Sequence, residues 1–181
     1  MTDHPNDRPG IQTRKTTPLF HLQITTMNIG ISQDSLTGVS QILNALLADE
    51  NLLYIKTRNY HWNVTGIHFH DLHKFFESQY GELEGIIDEV AERSRKLGQP
   101  AEAGLATFLS KTRLAEDTIP VTSSKTMLQN LLDDHELLCR LIRADITIVQ
   151  DNFVDVATAD FLTGLLASHE KMAWILRSIL A

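Results

Sequence analysis

The chain contains a single cysteine, Cys139, among its 181 residues, so an internal disulfide is excluded. This is typical of a reducing cytoplasm, and we expect a cytoplasmic protein. A run of about 18 apolar residues, which a membrane span needs, is absent. The N-terminus also lacks the apolar core of a secretory signal. The net charge of −7 argues against a surface made as a whole for nucleic acid.

Proline is scarce, and its distribution divides the chain. Three of the five prolines, Pro5, Pro9 and Pro18, fall within residues 1–30, where few apolar residues recur periodically. We interpret residues 1–30 as a flexible N-terminal tail and residues 31–181 as one folded domain. Apolar residues make up 43% of the sequence, which is enough for a single core.

The domain has no strand pattern, and its apolar residues recur at spacings of three and four. These spacings predict long helices from about residue 34, with Asp34 or Ser35 as cap, and over about 71–97, 124–150 and 159–180. A short helix is expected near "GLATFLS". The sequence therefore predicts an all-α four-helix bundle with a short extra helix in the loop between helices 2 and 3.

Histidine is concentrated in one stretch, "YHWNVTGIHFHDLHKFFE", which contains His61, His68, His70 and His73 and ends at Glu77. Imidazole and carboxylate together suit iron, manganese or zinc. On the second helix, the pairs 73/77 and 88/92 each have a four-residue spacing, which puts both members on one face. Either pair alone is also compatible with an ordinary solvated helix face.

The two carboxylate-bearing pairs are too far apart for one metal ion. Glu77 and Asp88 are separated by roughly 16 Å along a straight helix. However, the two pairs are symmetric about one point, which lies between residues 82 and 83. His73 and Glu92 are equally far from this point in the sequence, and so are Glu77 and Asp88. Two antiparallel copies of the helix would therefore bring each residue level with its counterpart and create two mixed sites. Gly81 and Gly85 flank the centre and would allow a close crossing.

Several motifs in these helices resemble the Dps family, the ferritin-like mini-ferritins of starved bacterial cells. They are "KTRNYHWNVTG", the His73–Glu77 pair, "DEVAERSRKLG" and the C-terminal "HEKMAWILRSIL"; "NIGIS" is similar to a common start. The resemblance covers about residues 28–180. It implies a ferritin-like fold and a homo-oligomer, a hollow dodecamer built from twofold dimers.

The resemblance also implies a function: Fe(II) is oxidised, preferably by hydrogen peroxide, and stored as ferric mineral, which protects the cell from oxidative stress. The ferroxidase ligands would be His61, His73 and Glu77 from one chain, with Asp88 and Glu92 from its twofold mate. Many members have aspartate where this chain has Glu77. Trp62 would lie near the iron as an electron source or radical trap; packing at an interface is the alternative.

Further sites follow with less support from the motifs. His68 and His70 depart from the family pattern and would add a ligand or bind zinc, unless they only face solvent. The family lines its iron pores with acidic residues, which would here be Asp151, Asp155 and Asp160.

DNA compaction, the family's second function, uses lysine-rich tails and would place the protein at the nucleoid. This tail has two aspartates against three basic residues, so we expect weak or absent DNA binding. The alternative function is a DNA-compacting or zinc-binding cage with little ferroxidase activity.

Overall fold

A computed structural model describes residues 27–117 and 120–181, and helices make up most of both ranges. They are α1 Gln33–Asn63, α2 Phe69–Lys96, α3 Leu105–Lys111, α4 Ser124–Asp151 and α5 Val156–Leu180. No strand occurs in either range. The predicted all-α bundle, with its short extra helix between the second and third long helices, is confirmed. The predicted tail, residues 1–30, falls almost entirely outside the described residues.

The bundle consists of two helical hairpins. α1 packs against α2, and α4 packs against α5, while the short α3 lies on α1. One apolar core fills the space between them, with Leu43, Phe76, Leu131 and Leu162 fully buried. Each such side chain contributes about 1.5–3 kcal/mol relative to an exposed position. The apolar residues that recur at spacings of three and four in the sequence therefore form the faces of the helices that pack into this core.

Two helix starts differ from the prediction because of their capping residues. α1 is capped by Ser32, whose side chain accepts a hydrogen bond from the Ser35 backbone nitrogen, and not by Asp34 or Ser35. α5 begins before the predicted residue 159 because the Asp155 side chain accepts a bond of 3.0 Å from the Thr158 nitrogen. In both cases a small polar residue ahead of the apolar pattern sets the boundary.

Buried ion pairs fix α1 against the second hairpin. The Lys56 ammonium lies 2.6 Å from the Asp134 carboxylate on α4. Arg113, in the segment after α3, bonds Asp49 of α1 and Asp145 of α4, each at 2.8 Å. These contacts fix the position of α1 along its axis relative to α4, and therefore also the position of the residues at the end of α1.

A close approach joins the start of α1 to the loop between α4 and α5. A Cβ atom added at Gly38 would lie 2.3 Å from the Phe153 ring, so only glycine allows this packing. Within the two described ranges, none of the helices is long and apolar enough to cross a membrane.

Candidate metal centre

Two histidines face each other where α1 ends and α2 begins. The Nδ1 atom of His61 lies 2.8 Å from the backbone oxygen of His73, and the Nδ1 atom of His73 lies 2.9 Å from the backbone oxygen of His61. The rings stack with their centroids 3.7 Å apart. The antiparallel hairpin thus joins two residues that are twelve positions apart in the sequence.

This reciprocal pairing decides which ring nitrogen is free. A carbonyl oxygen only accepts hydrogen bonds, so each Nδ1 carries a proton and donates it. A neutral imidazole then has its lone pair on Nε2. Metal-binding histidines are commonly oriented in this way, by a bond from the other ring nitrogen to a backbone carbonyl. His61 and His73 are therefore both in the tautomer that leaves Nε2 free for a metal ion.

Glu77 adds a carboxylate one turn along α2 from His73. It is half-exposed, and its Oε2 lies 2.7 Å from the Lys74 ammonium. The hydrogen bond from Lys74 first, and the charge of Lys74 second, lower the pKa of Glu77. The group is therefore held in its ionised form, which is the form that binds a cation.

Asp88 and Glu92 occupy the far half of α2 and are exposed. Glu92 lies 3.2 Å from Lys96, one turn away. The helix carries both residues too far from Glu77 to share one ion within a chain. Across residues 27–117 and 120–181, no three His, Cys, Asp or Glu side chains come together in a metal-binding cluster. A single chain therefore presents two separate half-sites on α2.

The face of α2 between these half-sites is open. A Cβ atom added at Gly81 or at Gly85 would meet nothing within 4 Å. Neither glycine is needed for packing inside the chain, although each lowers helix stability by roughly 1 kcal/mol relative to alanine. The surface between the half-sites is thus smooth enough for close approach of another helix.

An arginine with three aromatic rings adjoins the histidine pair, and sequence reasoning missed it. The Arg58 guanidinium lies 5.1 Å from the Trp62 ring centroid, 5.3 Å from Tyr80 and 5.4 Å from Tyr54. Tyr80 in turn stands edge-on to the His61 ring at 5.3 Å. The four-residue spacing of Tyr54, Arg58 and Trp62 is a helical stripe that could have revealed this cluster.

The remaining sequence candidates are scattered. Trp62 is 62% exposed on the surface of α1. His68 and His70 are also exposed; His68 precedes α2 without a side-chain capping bond, and His70 lies in its first turn. None of the three is brought into a metal-binding cluster in the part of the chain that the structure describes.

The three candidate pore aspartates differ in environment. Asp151 ends α4 and Asp160 lies on α5, and both are exposed. Asp155 is buried, caps α5 and lies 3.3 Å from the Arg93 guanidinium on α2. Its carboxylate is therefore already bonded inside the chain, whereas the other two face solvent.

Known proteins resemble this chain over nearly its whole folded part. A family model for the ferritin-like domain matches residues 40–181. A low temperature-induced protein of Nostoc sp. is 43% identical over 154 residues, which are 85% of this chain and 86% of the relative. A DNA protection during starvation protein of Bacillus anthracis is 34% identical over 142 residues, covering 78% of this chain and 96% of the relative.

A solved structure has the same fold. It is a Dps protein from Vibrio cholerae O1, described as a member of a broad superfamily of ferritin-like diiron-carboxylate proteins. It superposes with a TM-score of 0.80 at 29% identity, covering 86% of this chain and 97% of that chain. The residues matched by the family model include both halves of the candidate centre.

Proposed function

Because this chain belongs to the Dps family of ferritin-like proteins, we propose that it oxidises Fe(II) and stores the ferric product inside a protein cage. The observation that carries this proposal is the reciprocal pairing of His61 and His73, which frees both Nε2 lone pairs beside the ionised Glu77. Such a half-site has an ordered orientation before any ion arrives, so less freedom is lost on binding.

Iron is the substrate, and the ligand types suit its change of charge. Imidazole binds the borderline ferrous ion, and carboxylates favour the harder ferric ion, so the mixture favours loss of an electron. Two Fe(II) ions each give up one electron, and hydrogen peroxide takes both electrons and two protons to yield two water molecules. The ionised Glu77, with a pKa lowered by Lys74, remains available for the cation when the medium is mildly acidic.

The centre is completed by a second copy of the chain. Each half of α2 supplies ligands that the other half lacks, and the open face at Gly81 and Gly85 supports a close antiparallel crossing. Asp88 and Glu92 of the mate then stand level with Glu77 and His73. Twofold dimers of this kind would assemble into a dodecamer, with iron entering through pores where Asp151 and Asp160 face solvent.

Mixed assemblies test both the chemistry and the shared site. Chains with His73→Ala or with Asp88→Ala should each oxidise Fe(II) at least about 100-fold more slowly, since even outer-shell losses reduce metal-site activity by about 10–100-fold. A dimer with one chain of each kind has one centre with every ligand and one centre that lacks two. Co-assembled chains should therefore recover about a quarter of the original capacity with random pairing.

The readout is anaerobic Fe(II) titration followed by rapid addition of peroxide and ferric absorbance. Glu89→Gln is the matched control, because Glu89 is an exposed acid of α2 that faces the groove toward α5. Absence of recovery in the mixed assemblies would show that the centre is not shared. Stoichiometric zinc that blocks iron oxidation would favour a zinc-binding cage.

DNA binding is a separate question, since the Bacillus anthracis relative is named for DNA protection. We infer weak or absent binding, because residues 1–30 have only three basic residues against two aspartates and the whole chain has a net charge of −7. A gel shift of duplex DNA at about 150 mM salt, lost on removal of residues 1–26, would contradict this inference.

A further inference from the structure

A second pair of histidines lies at the centre of the bundle with a glutamate. His169 of α5 places its Nε2 atom 2.8 Å from Oε1 of Glu50 on α1. Its Nδ1 atom lies 3.0 Å from Nδ1 of His135 on α4. All three residues are 0% exposed. The core triad, as we name Glu50, His169 and His135, therefore joins one helix of the first hairpin to both helices of the second.

The core triad accepts a limited number of protons. The contact between the two Nδ1 atoms holds one proton, because two N–H groups cannot point at each other across 3.0 Å. With one proton on each Nε2 atom, the two rings carry at most three N–H groups and a single positive charge. In an unfolded chain at acidic pH both rings are fully protonated, with four N–H groups and two charges. The folded chain therefore binds at least one proton fewer.

The charges around the core triad support this limit. Glu50 can balance one imidazolium but not two, and a buried unbalanced charge is strongly unfavourable. The other buried charged groups of these helices are engaged elsewhere, Asp49 and Asp145 with Arg113 and Asp134 with Lys56. The buried side chains that α2 contributes are uncharged. Among residues 27–117 and 120–181, Oε2 of Glu50 and Nε2 of His135 have no hydrogen-bond partner.

We propose that the core triad is a proton-linked lock between the two hairpins, which holds α1 against α4 and α5 at neutral pH and loosens as the pH falls. An additional proton has to break the contact between the two Nδ1 atoms, and that contact is part of the join between α4 and α5. Because His169 is also the partner of Glu50, its displacement disturbs the attachment of α1, the helix that also carries His61. The lock does not depend on iron oxidation.

The sign of the effect follows from His135. Burial first, and the charge of His169 second, hold the pKa of His135 well below its usual range. Between the unfolded and folded values, the unfolded chain binds a proton that the folded chain excludes. The stability from this group is therefore complete above about pH 6.5, the ordinary value for histidine. It is lost as the pH falls below that value.

Hydrogen–deuterium exchange of the full-length, metal-free assembly between about pH 5 and 7.5 tests the lock. His135→Asn keeps a hydrogen-bonding group near the Nδ1 position but does not titrate. Below about pH 6.5, the protection factors of α1, α4 and α5 should fall about tenfold more per pH unit in the unsubstituted protein than in this variant, since one proton is linked. His70→Asn, which removes an exposed histidine, is the control and should follow the unsubstituted protein.

A second variant should make the protection factors more strongly dependent on pH, whereas His135→Asn makes them less so. Glu50→Gln removes the charge that balances the imidazolium, so both rings should exclude their extra protons. Protection should then fall about tenfold more steeply per pH unit than in the unsubstituted protein. Equal slopes in all three proteins would overturn the proposal. It would also be overturned by one tightly bound transition metal per chain that is lost in His135→Asn and retained in His73→Ala.

Discussion

Two groups of two histidines and one glutamate lie in this molecule, and they differ in what their ring nitrogens face. At the junction of α1 and α2, both Nδ1 atoms of His61 and His73 are bonded to backbone oxygens. In the core, one Nδ1 atom faces another, between His135 and His169. The first arrangement satisfies one nitrogen of each ring independently, whereas the second makes the rings share a proton.

The difference shows that residue type alone does not define a metal site. His61 and His73 bond their Nδ1 atoms to the backbone and so leave both Nε2 lone pairs free, near the ionised carboxylate of Glu77. In the core triad, three of the four ring nitrogens form contacts within the triad, and all three residues are 0% exposed. On the two proposals made above, His61 and His73 would bind a cation, whereas the core triad would respond to protons. The backbone oxygens of His61 and His73, which accept the ring N–H groups at the junction and have no counterpart between the two core histidines, produce the distinction.

The largest expected effect is a loss of stability when the core triad is broken by substitution. His169→Leu should lower the free energy of unfolding by about 3–5 kcal/mol, because it leaves the buried Glu50 without its partner. Urea unfolding at pH 7 measures the loss. Adding Glu50→Gln to the same chain should restore part of it, since a neutral amide is less costly to bury than a carboxylate. An unchanged unfolding midpoint in His169→Leu would mean that the core triad carries no stability.

The next effect separates the two groups by function. His73→Ala should reduce the rate of Fe(II) oxidation at least about 100-fold and change the unfolding midpoint little, because the ring is only half-buried. His135→Asn should show the reverse pattern, with a normal oxidation rate per folded chain and an altered unfolding midpoint. Stopped-flow absorbance and thermal unfolding of both variants measure the two effects. Loss of iron oxidation in both variants would contradict the separate roles of the His61–His73 pair and the core triad.

The sequence predicted the long helices of this fold because each one has an apolar period, and polar side chains cap three of them, at Ser32, Ser123 and Asp155. It also placed His73 and Glu77 together, since a four-residue spacing needs only helix geometry. It could not predict that His61 and His73 exchange hydrogen bonds, which depends on the register of the hairpin. The core triad was missed for a similar reason, because its members lie on three helices and its 34- and 119-residue separations have no local pattern.

A smaller effect concerns Arg58, the cation that lies beside the pair of His61 and His73. Arg58→Leu should lower the free energy of unfolding by about 1–2 kcal/mol, because the partly buried guanidinium contacts the rings of Tyr54, Tyr80 and Trp62. Trp62 should also become easier to quench with acrylamide, a neutral quencher that the loss of the Arg58 charge does not affect; this can be measured in a Trp174→Phe background. Arg140→Leu, at an exposed position of α4, is the control. Equal quenching in both variants would show that Arg58 does not hold Trp62.

The smallest effect sharpens the contrast between exposed and buried glutamates. Lys74 lowers the pKa of Glu77, mainly through its hydrogen bond and then through its charge. Lys74→Ala should therefore raise this pKa toward its usual value, and Glu77 would take up a proton at a higher pH than before. Because protons and metal ions compete for the carboxylate, the acidic limit of Fe(II) binding should move upward in pH. Anaerobic Fe(II) titrations between about pH 4 and 7 would detect the shift, around the ordinary glutamate value. No shift in Lys74→Ala would mean that Glu77 does not contact the ion.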